Sequence, residues 1–85
     1  PSTMSAQTRR KVMEASGLTD LEFRVLMHMA DYSARFTVAR LPLELVARRC
    51  ETTTAVVRIT AEKLRKDGRL HGTVIDDRFH GEIVL

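Results

Sequence analysis

Three successive threonines, Thr52, Thr53 and Thr54, followed by Ala55, Arg58 and Ile59, form the densest group of side chains in this 85-residue chain that could do chemistry. That chemistry is recognition rather than bond making. Short hydroxyls donate to phosphate oxygens, a guanidinium presents paired donors that match a phosphate or the edge of guanine, and an exposed isoleucine can touch a thymine methyl. Arg48 and Arg49 stand just upstream, Lys63 lies further along the same run, and Arg78 follows a pair of aspartates. Each has a plainer reading beside it. Arg58 could be an incidental surface arginine, with Glu62 nearby disfavouring phosphate, and Glu51, Asp76 or Asp77 could neutralise Arg48, Arg49 and Arg78.

Other chemistries find little support. His71 and His80 fall near Asp76 and Asp77, but no Cys or His pair has compact ligand spacing, so no metal is expected. Cys50 falls on an apolar stripe and reads as a small core hydrophobe. With no glycine-rich phosphate loop, nucleophile elbow or metalloprotease motif, the chain is read as a non-enzyme that needs no cofactor. Fourteen basic residues, eleven of them arginine, against eleven acidic ones give a net charge of +3, which favours an anionic partner. A single cysteine points to a reducing compartment, read as the cytoplasm. No apolar run approaches the roughly 20 residues that span a bilayer, so no membrane association is expected. Residues 1–3 read as preceding a start at Met4.

The elements that must position the recognition residues follow from capping and periodicity. Residues 1–17 are polar and basic, an arm or a short helix over 5–15. Thr19 three residues ahead of Glu22 is a capping box, and Leu18 with Phe23 is placed as a hydrophobic staple. The helix that starts there carries Leu21, Phe23, Val25, Leu26, Met29, Ala30 and Tyr32, a face wide enough to be extensively buried. Phe36 to Leu41 predicts a short strand or extended link ending at Pro42. A second helix over 43–49 has Leu45, Val46 and Cys50 as its stripe, with Glu44, Arg48 and Arg49 outward.

The threonine triplet then reads as a turn that ends in an N-cap at Thr53. A third helix follows with Val57, Ala61 and Leu64 inward, closing at Asp67-Gly68. Opposite that stripe lie Ala55, Arg58, Ile59, Glu62 and Lys66. Residues 70–75 and 79–85 are β-prone and flank Asp76-Asp77-Arg78, the composition of a hairpin. The fold class expected is mainly α with a small β-hairpin, an α+β domain.

The stretch LPLELVARRCETTTAVVRITAEKLRKDGRL resembles the helix-turn-helix of bacterial winged-helix proteins, with KLRKDGRL matching the exit into the wing. The segment LTDLEFRVLMHMADYS is similar to domains of phage and plasmid replication proteins and of small MarR- or GntR-like regulators. The resemblance covers residues 18–85 and implies a three-helix core plus a wing at 70–85. It implies binding of double-stranded DNA through a recognition helix over 53–66, in replication, partition or transcription regulation, with a homodimer as one arrangement. The contacts expected are Thr52, Thr53, Thr54, Ala55, Arg58, Ile59 and Lys63, with Arg48 and Arg49 gripping phosphate and Arg78 reaching the minor groove or the backbone. The alternative is a winged-helix module that binds protein. One departure stands out, because the turn position usually held by glycine is Glu51.

Overall fold

Two of the helices begin at a threonine whose hydroxyl caps the first turn, Thr19 and Thr53. The computed structural model describes residues 3–85. Residues 1 and 2, part of the segment read as preceding a start at Met4, lie outside the described residues. α1 spans Thr3–Glu14 and α2 spans Asp20–Asp31. At the start of α2 the Thr19 hydroxyl accepts from the Glu22 amide at 3.2 Å, and the Glu22 carboxylate accepts from the Thr19 amide at 2.9 Å. The reciprocal pair satisfies two amides that a helix start otherwise leaves without partners.

After α2 the chain turns into β1 (Ser33–Ala34) and β2 (Thr37–Pro42), then α3 (Leu43–Arg49) and α4 (Thr54–Lys66), and closes with β3 (Leu70–Ile75) and β4 (Arg78–Ile83). The four strands form one antiparallel sheet in the order β1-β2-β4-β3. The molecule is thus an α+β domain of four helices and one sheet among the described residues, with more β structure than the single hairpin expected. Its core joins Val25, Leu26 and Met29 of α2, Val46 of α3, Val57 and Leu64 of α4, and Val38, Leu70 and Phe79 of the sheet. Val12 of α1 is fully buried in the same cluster, so the N-terminal segment contributes a packed helix.

Several expectations are corrected. Tyr32 is exposed and caps the C-terminus of α2 instead of packing inside. Leu43 and Ala47 join Val46 and Cys50 as the buried face of α3, while Leu45 is only half-buried. The extended link is the second arm of a hairpin whose two turn residues, Arg35 and Phe36, both take left-handed backbone conformations at φ 51° and 72°. The later hairpin also turns in two residues, Asp76 and Asp77 at φ 52° and 56°, so Arg78 is the first residue of β4 and not part of the turn. Two positive φ angles in a two-residue turn match the right-handed twist of the paired strands.

Glu22 does more than cap. Its side chain is buried, and Oε2 accepts from Nζ of Lys63 on α4 at 2.6 Å. The Lys63 ammonium and, next, the Thr19 amide hold its carboxyl below the usual carboxylate range. A carboxyl with a lowered folded-state pKa contributes stability above its unfolded-state value and loses it as pH falls through the folded one. Glu22→Gln keeps an acceptor for the cap but cannot titrate. It should melt lower than the parent at neutral pH and show a flatter loss of stability with acid, measured by thermal melts from about pH 7 to about pH 3. A parent-like acid limb in the variant would mean that other carboxylates dominate.

Candidate nucleic-acid interface

α3 and α4 are joined through a turn whose hydrogen bonds close α3 and release α4 in a new direction. The Thr52 amide donates to the Ala47 carbonyl at 2.9 Å and the Glu51 amide to the Arg48 carbonyl at 3.2 Å, with Glu51 in the left-handed conformation at φ 55°. This is a Schellman closure. α4 ends in the same motif, with Gly68 at φ 79° in the equivalent place and Arg69 donating to Leu64 at 2.8 Å. Glutamate at the first closure therefore carries a backbone conformation that costs an L-residue about 1–2 kcal/mol.

Thr53 is the N-cap of α4, and its hydroxyl accepts from the Val56 amide at 3.2 Å. Thr52 and Thr54 are half-buried and Ala55 is exposed. α4 buries Val57, Thr60, Ala61 and Leu64. Ile59 is 70% exposed, and Glu62 and Lys66 are exposed with it.

No protein-family model, curated protein or solved structure matches this chain. The side chains and their partners therefore carry the functional reading.

Those partners sort the expected contact residues into separate regions. Arg58 lies on the flank of α4 that faces the β3–β4 hairpin, where its Nη2 donates to the Asp77 carboxylate. Arg58, Ile59, Glu62 and Lys66 line one wall of a groove against Gly72, Val74, Asp76 and Asp77 of the hairpin. Lys63 also lines this groove, but its ammonium is held between Glu22 at 2.6 Å and Asp67 at 3.1 Å, and both carboxylates raise its pKa. Its charge is already engaged by α2 and by the end of its own helix. Arg48 pairs with Glu44 at 2.9 Å along α3, and Arg49 sits over the Tyr32 ring, 5.9 Å from its centroid. Arg78 does not line the groove. It lies on the outer face of the sheet, where its Nη1 approaches the Arg40 carbonyl at 3.5 Å.

The hairpin tip is not a free wing. The Asp77 carbonyl accepts from the Leu43 amide at 2.8 Å, while its carboxylate takes Arg58, so one turn residue binds the first residue of α3 and the flank of α4. Sequence reading set Asp77 against Arg78; the fold gives it to Arg58 instead. The two-residue turn was the available signal, because it places consecutive aspartates at the tip and moves Arg78 into the strand.

Cys50 is buried at the end of α3, and burial pushes its thiol up, against a smaller lowering from Arg24. A thiol kept protonated is a poor nucleophile. His71 pairs across the ladder with Glu82, and His80 with Thr73, both on the outer face of the hairpin. Among the described residues no helix is long and apolar enough to cross a membrane.

Proposed function

We propose that this domain is a winged helix-turn-helix that binds double-stranded DNA, with α4 in the major groove and the β3–β4 hairpin beside it as the wing. The observation that carries this reading is the α3–turn–α4 unit. It holds a 13-residue helix with its core face packed and its capped N-terminal turn and outer strip uncovered. Such a helix is about 20 Å long and fits a groove about 12 Å wide. Thr53, Thr54 and the first amides of α4 would meet a phosphate, and Arg58 would face the bases. Asp77 occupies one of its nitrogens and limits its rotamers, leaving further donors for a guanine edge. The resemblance sets this activity in the replication, partition or transcription control of a bacterial, plasmid or phage system.

Fluorescence anisotropy with a pool of random duplexes at several salt concentrations tests the reading, and affinity should fall steeply as salt rises. Absence of binding at low salt would reject it. On a site selected from that pool, Arg58→Ala should cost about 1–3 kcal/mol and relax discrimination at one base pair.

A second reading, a protein-binding winged helix, draws on Ile59 and Ile75, 70% and 65% exposed near either side of the hairpin. It also draws on the internal neutralisation of Arg58, Lys63 and Arg65. It expects a partner whose binding is nearly flat in salt.

A further inference from the structure

We propose that the outer face of the sheet carries a second phosphate-binding site, built from Arg40 and Arg78, that grips the DNA backbone beside the stretch read by α4. The inference rests on the duplex-binding reading and adds a face of the molecule to it.

Arg40, Thr73, Ile75, Asp76, Arg78 and His80 line one shallow depression on the side of the hairpin turned away from the helices. Among the described residues neither Arg40 nor Arg78 has a carboxylate partner, which is also true of Arg10, Arg24, Arg35, Arg49 and Arg69; what sets these two apart is that they line one depression together. The Arg78 contact with the Arg40 carbonyl, at 3.5 Å, is at the outer limit of a hydrogen bond and leaves its other donors available. Asp76 supplies one negative charge to the depression against two guanidinium groups, so the local balance stays positive. Thr73 and His80, paired across the ladder, add a hydroxyl and ring nitrogens to the same face.

Backbone geometry independently marks Arg40. The pairing of β2 with β4 runs Val38↔Gly81 and then Leu41↔Phe79, so Ala39 and Arg40 together oppose His80. Arg40 takes the left-handed conformation at φ 47° at this bulge. A bulge re-aims a side chain, and the left-handed conformation favours glycine. At this position the chain instead carries a guanidinium that has no ion pair. The depression also shares Thr73 and Asp76 with the groove beside α4, so the two sites lie on opposite sides of one hairpin. A duplex that seats α4 in its groove would bring its flanking strand across that hairpin toward Arg78 and Arg40.

The test is salt-dependent anisotropy of the full chain on both a selected duplex and a random one, comparing the parent with Arg40→Gly, Arg40→Lys, Arg78→Ala and the double variant Arg40→Gly/Arg78→Ala. Glycine suits the φ of Arg40, so loss of the guanidinium is not confounded with loss of the fold, and a melt confirms this. Each single neutral variant should weaken both duplexes by the same factor and reduce the slope of log affinity against log salt by about 0.9, and the double variant by about twice that. Arg40→Lys should restore the slope, and the preferred sequence should not change. A parent-like slope in Arg40→Gly, with the parent binding duplex normally, overturns the sheet-face site and leaves the α4 reading standing. A parent that binds no duplex at all overturns both.

Discussion

Gly81→Ala is expected to destabilise the domain by about 3 kcal/mol, more than an ordinary glycine substitution, because the space it needs is filled by backbone. Gly81 faces Gly72 across the β3–β4 ladder on the side toward the core. A Cβ on Gly81 would lie 2.0 Å from the His71 carbonyl oxygen and 2.7 Å from the Gly72 Cα. Neither atom can swing aside as the end of a side chain can, so the strands must separate. Leu70, Phe79 and Ile83 are anchored in the core on both sides of that pair and would be dragged with them. Gly68 provides the comparison, since a Cβ there meets nothing within 4 Å and only its φ of 79° is unfavourable. Gly68→Ala should therefore cost about 1–2 kcal/mol. Thermal melts of the two variants separate lack of room from backbone conformation. Equal losses would mean that the ladder relaxes at little cost.

Leu64→Ala should lower stability by about 2–5 kcal/mol, the range for truncating a leucine whose cavity cannot collapse. Leu64 is fully buried on α4, and Val57 and Ala61 continue the same face into the core. A domain of this size has roughly 0.05–0.15 kcal/mol of stability per residue, so the loss is a large fraction of the total. Each kcal/mol moves the melting midpoint of such a domain by about 4–8 °C, which makes the effect easy to read by calorimetry. Leu64 also fixes the phase of α4. An unchanged midpoint would mean that the strip bearing Ala55 and Ile59 is not the outer one, and the groove-facing residues would have to be reassigned.

Local chemistry was legible in the sequence. The Thr19–Glu22 box, the Thr53 cap and the Gly68 closure each depend on residues within a few positions of one another, and each forms as the spacing requires. The inward stripe of α4 followed from its period. The β1–β2 hairpin was not readable, because its turn is Arg35-Phe36 rather than residues that favour positive φ, and the pairing that supports it comes from β4.

Charge partnerships were the least legible. Lys63 meets Glu22 across 41 positions and Arg58 meets Asp77 across 19, separations that no periodicity encodes. As a result the basic residues of α4 look freer in the sequence than they are. Arg40 looks incidental there, because the slip in register that places it is a property of paired strands.

The bond from the Leu43 amide to the Asp77 carbonyl bears on how the chain acquires its shape. α3 has seven residues and begins after Pro42, which offers no side-chain cap, so a segment so short would not persist as a helix in isolation. One of its first amides is satisfied by a turn 34 positions later, at the close of the last hairpin. The first helix of the α3–α4 pair thus acquires this contact only once the C-terminal strands have docked. Closing that contact costs the entropy of a loop of more than thirty residues, so the start of α3 is tied to the last hairpin as well as to its own neighbours in the core.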